Sequence, residues 1–296
     1  MLEKQSESVG VIGLGIMGGT IARNLVAAGH RVIGFDPDAA RCDEARAAGV
    51  EIVGAARMLI AEARQILTSL PSSEALDQTV AAIGGVSESE RRGLVVAELS
   101  TLPLSCKQAN RERLDGAGVV LLDCPLSGTG AQALTRDLAV YASGDAEACK
   151  RFAGVFSGFS RVNHYLGEFG NGTKMKLVAN LLVAIHNVAA AEAILLGVKG
   201  GLDPSTLCEI LASGAGTSRI FEMRAPMMVD ESYEPATMKL EVWQKDMALI
   251  REFVADCGVP TPTFSATEPI YKAALEAGRN QQDTAAVYAV LQNCSK

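Results

Sequence analysis

The chain has no run of basic residues. Its 27 Lys and Arg are scattered, 34 Asp and Glu leave a formal net charge of -7, and the pI is near 5.2. Such a surface argues against a nucleic-acid or anionic-membrane partner and favours a small molecule. There is no Cys-x-x-Cys pair: the seven cysteines, at 42, 106, 124, 149, 208, 257 and 294, are odd in number. That pattern excludes a zinc ribbon and a disulfide framework and points to reduced thiols, no metal, and the cytoplasm. Residues 1–8, Met-Leu-Glu-Lys-Gln-Ser-Glu-Ser, lack both the apolar centre of a secretion signal and the Arg-rich character of a transit peptide. Internal repeats and low-complexity tracts are absent too. What is plentiful is apolar side chain, 48% of 296 residues, which is ample for two cores of ordinary size.

Val9 to Gly13 is a short apolar run that enters Gly13-Leu14-Gly15-Ile16-Met17-Gly18, after which Ile21, Ala22, Leu25 and Val26 recur at helical spacing. The pattern predicts strand, tight turn, helix. Gly13 permits the turn, Gly15 lets backbone approach a pyrophosphate, and Gly18 lets the helix pack closely on the strand with its N-terminus toward the phosphates. A second strand, Arg31 to Phe35, ends on Asp36, where an acidic residue binds a ribose. A carboxylate there repels a 2'-phosphate, and Pro37-Asp38 supplies no arginine to bind one, so NAD is expected over NADP, with Arg41 the residue that argues the other way.

The alternation continues with a helix near Pro37 to Ala47, a strand at Glu51 to Val53, a helix at Ala55 to Glu62 and a strand at Gln65 to Ser69. Leu70-Pro71-Ser72-Ser73 then leaves a strand end, which in an open parallel sheet is the ligand side; a helix-starting Ser/Pro turn is the equal alternative. Leu94 to Leu99 ends in Ser100-Thr101, whose hydroxyls suit either a cap for the Pro103 segment or a cofactor contact. Val119 to Cys124 delivers Pro125-Leu126-Ser127-Gly128-Thr129-Gly130. There Ser127 and the backbone N–H groups of Gly128 and Thr129 form either a nest for a carboxylate or a plain turn. Leu138 to Ser143, a helix near Ala146 to Phe156, and Val162 to Leu166 complete an α/β domain.

From Thr173 the residues predict one long helix, about 173–199, with no internal Gly or Pro until Gly197. Lys176 and Asn180 share a face, Asn187 returns to within about 20° of it, and Lys174 points elsewhere. The segment is long enough to span a bilayer, but its polar residues would lie at mid-membrane, so a buried helix joining two domains is the better reading. Beyond Gly200-Gly201 the pattern is helical, punctuated by prolines. The expected domains are 1–166, a Rossmann-type dinucleotide-binding domain, and 167–296, an all-α domain that begins with the long helix. Within the second, Lys245-Asp246 reads as a solvated pair, Trp243, the only tryptophan, as packing, and Arg219 as an exposed side chain or a partner for a second carboxylate.

These pieces together resemble the β-hydroxyacid dehydrogenase family, the group of 3-hydroxyisobutyrate dehydrogenase and tartronate semialdehyde reductase, over almost the whole chain. Four motifs stand in the family's order. They are the N-terminal GxGxMG; Asp123-Cys-Pro-Leu-Ser-Gly-Thr129 in place of Asp-Ala-Pro-Val-Ser-Gly-Gly; GxxGxGxxxKxxxN at Gly167, Gly170, Gly172, Lys176 and Asn180; and Lys245-Asp246-Met247 in place of Lys-Asp-Leu. The resemblance implies that Lys176 is the catalytic acid/base, that Asn180 positions substrate or Lys176, and that Ser127 with Gly128 binds the substrate carboxylate. Leu70, Pro71, Thr101 and Lys245 fall where the family contacts its cofactor. It also implies a homodimer or homotetramer. Ala179, where the family often has a second Asn, Thr129 in place of Gly, and Trp243 in place of a smaller or polar residue bear on the substrate more than on the chemistry.

The implied reaction is reversible NAD-dependent oxidation of the hydroxyl of a small β-hydroxy acid. An unperturbed lysine titrates near about 10.4, so Lys176 as base requires desolvation or a nearby positive charge. The alternatives are a reductase of a semialdehyde or imine in the same fold, and a non-catalytic dinucleotide-binding regulator. Imine reductases of this fold generally lack the lysine. About 120 residues beyond Lys176 is too short for the C-terminal domain of 6-phosphogluconate dehydrogenases.

Overall fold

The computed structural model describes residues 8–294, so the first seven residues of the segment read for a leader lie outside it. It divides into two compact units, Met1–Lys176 and Leu177–Lys296, each taken by itself below.

The first unit is the expected α/β domain. Strands β1 (Val9–Ile12), β2 (Val32–Phe35), β3 (Glu51–Ile52), β4 (Gln65–Thr68), β5 (Val95–Glu98) and β6 (Val120–Asp123) form one sheet in the order β3-β2-β1-β4-β5-β6. Every pairing is parallel. Because helices cover both faces, alternate residues of a strand go to different cores, and most of them are apolar. Val9, Val11, Val95 and Ala97 pack on one side, with Phe152 and Phe156 of the helix Ala146–Ser157; Ile12, Ile66 and Val96 pack on the other, with Leu59 and Ile83. The order reverses between β1 and β4, which places the ends of these strands at a topological switch point.

A second sheet, of β7 (Leu126–Ser127), β8 (Ala139–Ala142) and β9 (Val162–Tyr165), was not anticipated as separate from the first. β7 runs antiparallel to β8, with Ser127 opposite Ala139, and β8 runs parallel to β9. Ser127 therefore sits in a two-residue strand rather than a free turn.

The long helix runs Asn171–Lys199. It starts two residues before the expected Thr173 because the side chains of Ser143 and Asp123 accept from the Gly172 and Thr173 N–H groups, 2.9 and 2.7 Å, and so satisfy donors that a helix start otherwise leaves orphaned.

The second unit is helical. Besides the remainder of the long helix it holds Pro204–Ser213, Arg219–Val229, Leu240–Cys257, Pro262–Glu276 and Val287–Cys294, with one 3-10 turn at Thr284–Ala286. Ala184, Ala191 and Ile194 of the long helix pack with Phe221, Trp243, Phe264 and Tyr271. By length and composition the long helix would suit a membrane, with mean hydropathy 2.0 over its most apolar window. Its polar residues, however, are used inside the unit: Asn187 donates to the Tyr271 hydroxyl and to the Thr284 carbonyl, at 3.0 and 2.9 Å.

All seven cysteines are free thiols. Burial pushes the Cys124 thiol well up and the Cys149 thiol up to about 11. Since the thiolate is the reactive species, iodoacetamide at pH 8 is expected to alkylate exposed Cys257 and Cys294 in the folded protein and to reach Cys124 and Cys149 only in urea. Mass mapping of the adducts checks this; modification of Cys124 without denaturant contradicts it.

Candidate functional site

The glycine turn follows β1 and opens the helix Ile16–Ala27. Gly13 has φ +90°, and a Cβ on it would lie 2.1 Å from the Ser69 carbonyl oxygen; one on Gly18 would lie 1.9 Å from that of Gly13. Both positions therefore require glycine. A Cβ on Gly15 would lie 3.4 Å from the Arg41 guanidinium. The helix has no side-chain cap, and Ile16 is 82% exposed. An uncapped helix N-terminus above a glycine turn fits a pyrophosphate, so the residues present suit a dinucleotide, which when bound supplies the hydride acceptor.

Asp36 lies just beyond β2 and is buried. Its Oδ2 accepts from the Leu14 N–H at 2.7 Å and its Oδ1 from the Asp38 N–H at 2.9 Å. The acid of the fingerprint thus also braces the glycine turn. Arg41 Nη1 is 3.7 Å from Asp36 Oδ2, and its Nε is 3.4 Å from Asp38 Oδ2, so a cation stands directly beside the expected ribose-binding carboxylate.

The loops after β4 and β5 are joined. The Leu70 N–H donates to Ser100 Oγ at 2.7 Å, and the Ser100 N–H donates to Glu98 Oε1 at 2.8 Å. Ser72, by contrast, caps the helix Ser73–Gly84, which accounts for that half of the Leu70-Pro71-Ser72-Ser73 turn. Neither Ser100 nor Thr101 caps the next helix, Leu104–Asp115, whose N-cap is Pro103.

One expectation for the substrate loop needs correction. The Thr129 N–H donates to Gln132 Oε1 at 3.0 Å and its hydroxyl accepts from the Gln132 N–H, a reciprocal capping box on the short helix Gly130–Leu134. It is therefore not a free donor for a carboxylate nest, and its hydroxyl is committed to the cap. Half-buried Ser127 and Gly128, with φ +133°, remain.

Lys176 follows one turn after Thr173. Asp123, fully buried, accepts from the Thr173 N–H with Oδ2 and from its hydroxyl with Oδ1, both at 2.7 Å. Gly172 allows the approach: a Cβ there would lie 2.3 Å from the Tyr141 carbonyl oxygen and 2.7 Å from that of Asp123. Lys176 is half-buried, whereas Lys174 is exposed and paired with Asn171, as the helical phase predicts.

In the second unit, buried Asn180 donates to Asp246 Oδ2 at 2.9 Å, and Lys245 Nζ is 4.0 Å from Asp246 Oδ1. Asp246 is only 7% exposed, so Lys245-Asp246 is not the solvated pair its composition suggests. This contact joins the third motif to the fourth. Trp243 is a packing residue, 2% exposed with its ring 6.3 Å from that of Tyr271, and exposed Arg219 pairs with Glu222. Asn187 shares the Asn180 phase but is spent on Tyr271 and Thr284. Among the described residues no cluster of His, Cys, Asp or Glu suits a metal.

Two family profiles cover the chain: the NAD binding domain of 6-phosphogluconate dehydrogenase matches residues 8–167, and the NAD-binding domain of NADP-dependent 3-hydroxyisobutyrate dehydrogenase matches 170–291. L-threonate dehydrogenase of Cupriavidus necator is 30% identical over 285 residues, covering 95% of each chain. The chain belongs to the β-hydroxyacid dehydrogenase family. Also similar is glyoxylate/succinic semialdehyde reductase 1 of Arabidopsis thaliana, 30% identical over 94% of this chain and 96% of its own. The fold matches that of Mycobacterium tuberculosis 3-hydroxyisobutyrate dehydrogenase with L-serine, with TM-score 0.86, 26% identity, and coverage of 97% of this chain and 99% of that one. This member of the β-hydroxyacid dehydrogenase family is accordingly an NAD(P)-dependent oxidoreductase acting on hydroxyl groups. What reading the sequence missed in the first unit is Glu98 and Lys107, described below; no motif marks them.

Proposed function

We propose that the protein oxidises the hydroxyl of a small β-hydroxy acid to the semialdehyde or keto acid, reversibly, with NAD preferred to NADP. The observation that carries this reading is the clamp of Asp123 on Thr173: it fixes a lysine one turn along at the end of the strand that begins the Asp123–Thr129 loop. In this reading Ser127 and Gly128 hold the substrate carboxylate and so orient the carbinol. Lys176 takes the hydroxyl proton in oxidation and returns it in reduction. Asn180 positions Lys176 or substrate, and Leu70, Pro71, Thr101 and Lys245 contact the dinucleotide. The test is NADH or NADPH formation at 340 nm with a panel of 3-hydroxy and 2,3-dihydroxy acids that includes L-threonate. Glyoxylate and succinic semialdehyde, the substrates in the Arabidopsis relative's name, are run in the reducing direction. Turnover only with the aldehydes moves the assignment to a semialdehyde reductase; silence throughout removes it.

NAD is preferred because Asp36, held by two backbone N–H groups, turns its carboxylate to the ribose site, where a 2'-phosphate would be repelled. Asp36→Ser is expected to raise kcat/KM with NADP relative to NAD by about tenfold or more, since it removes a carboxylate from the 2'-phosphate position and leaves the Arg41 cation. An unchanged ratio contradicts this assignment of Asp36.

We further assign a homodimer or homotetramer in the cytoplasm. Val178, Leu182 and Leu196 of the long helix are 49%, 47% and 76% exposed, an apolar stripe of the kind a second copy covers. Light scattering that gives a monomer at working concentration removes this assignment.

A further inference from the structure

The helix Leu104–Asp115 turns a lysine inward. Lys107 is fully buried, with its Nζ 2.6 Å from Glu98 Oε2 and 2.8 Å from Asp123 Oδ1, and both carboxylates are fully buried as well. The second contact is a hydrogen bond; the first is an ion pair outside hydrogen-bonding angles. Glu98 and Asp123 are partners in the β5–β6 ladder, at the last residue of each strand. Two carboxylates side by side in an apolar sheet repel each other, and the Lys107 ammonium stands between them and offsets that repulsion. Burial by itself would lower the lysine pKa, but Asp123 and Glu98 outweigh it and raise it, so the cation persists.

Each carboxylate passes the constraint on. Through Glu98 Oε1 and the Ser100 N–H, and then Ser100 Oγ and the Leu70 N–H, Lys107 holds the loops after β5 and β4. Through Asp123 it holds Thr173, and with it the turn that carries Lys176. Asp123 also begins the Ser127 loop, and Ser143 Oγ donates to the Asp123 carbonyl and accepts from the Gly172 N–H. Four segments assigned to cofactor, substrate and proton transfer thus converge on one ammonium that touches none of the reactants.

We propose that Lys107 is the positioning residue of this enzyme: it sets the Leu70 loop and the Thr173–Lys176 turn in register with each other. The inference rests on the proposed role of Lys176. A buried ion pair is by itself weak grounds for stability, and the particular feature here is that its two arms lead to different parts of one site.

The test is Lys107→Met with two readouts. Hydrogen exchange is followed at Leu70, at Gly172 and Thr173, and at Val11 in the central strand as a control. Hydride transfer in a single turnover is expressed per bound NADH, so that lost protein does not count as lost rate. The expected result is exchange at least about tenfold faster at Leu70 and at Thr173, with Val11 unchanged, and a rate per bound site lower by about 100-fold, the cost of displacing a reacting group by about 1 Å. Equal acceleration at all the amides, or a rate per site within about threefold of wild type, overturns the proposal. If the variant does not fold, Thr173→Val removes the hydroxyl half of the Asp123 clamp and leaves the N–H half: Thr173 exchange should quicken with Leu70 unchanged and the rate per site fall, whereas no change in either overturns it. The exchange readout needs no substrate. A wild type silent on every hydroxy acid would therefore remove the proposed reaction while the amides still judge Lys107.

Discussion

Lys176→Ala is expected to lower turnover by about two or more orders of magnitude while NADH binding stays within a few-fold of wild type. The separation follows from where the groups stand. The dinucleotide fingerprint is built from the β1 turn and Asp36, which are tied to each other through the Leu14 N–H. The turn that carries Lys176 is held by Asp123 and Ser143 acting on Gly172 and Thr173, so truncating the lysine leaves the helix start in place. On the proposed reading, what is lost is a proton acceptor at the carbinol, for which water is a poor substitute. Lys174→Ala is the control. Two residues away, exposed and paired with Asn171, it should leave kcat unaltered. Steady-state kinetics with an NADH fluorescence titration decide the matter. A Lys176→Ala enzyme with near wild-type kcat would end the acid/base assignment, and a loss of NADH binding in parallel would make the residue a cofactor contact.

The parts of this molecule that a sequence reader finds are those with a local cause. The main-sheet strands other than β3 follow short apolar runs, and the glycines of the fingerprint are dictated by collisions within a few residues or with one neighbouring loop, as at Gly13 and Gly18. The phase of Lys176 against Lys174 follows from 3.6 residues per turn. The parts that escape are tertiary. The helix Leu104–Asp115 reads as a solvated helix because its buried positions are Lys107, Asn110 and Leu114: polar residues occupy the inward stripe, so no hydrophobic periodicity reports it. Asp246 reads as surface because its partner, Asn180, lies 66 positions away in the chain. The Thr129 N–H reads as free because a five-residue helix is too short to leave an apolar pattern, and its capping box shows in the sequence as Thr129 followed three residues later by Gln132. The β7-β8-β9 sheet escaped for a similar reason: β7 has two residues, and its pairing is set by β8.

In the helical unit the largest loss of stability is expected from Asp283→Ala. Asp283 is fully buried at the start of the 3-10 turn Thr284–Ala286 and is used completely. Its Oδ2 accepts from the Thr237 N–H, the Thr237 hydroxyl and the Met238 N–H at 2.8, 2.9 and 3.0 Å; its Oδ1 accepts from the Ala285 N–H at 3.0 Å and lies 2.9 Å from Arg224 Nε. Arg224 is itself 3% exposed, and its Nε also donates to Thr284 Oγ1 at 3.1 Å. Alanine would leave a buried guanidinium without its counter-ion and several donors without an acceptor, and removing one member of such a pair costs about 3–5 kcal/mol. Trp243, the only tryptophan and 2% exposed, lies in the same unit and reports its unfolding by fluorescence. With a urea m-value of about 1–3 kcal/mol per molar, that loss should move the Trp243 transition down by at least about 1 M. Asp283→Asn keeps the shape and part of the acceptor capacity, so its transition should fall between those of alanine and wild type. The ordering matters as much as the size: if asparagine is as damaging as alanine, the charge facing Arg224 dominates; if alanine costs under about 1 kcal/mol, the unit relaxes around the vacancy and the carboxylate is not its keystone.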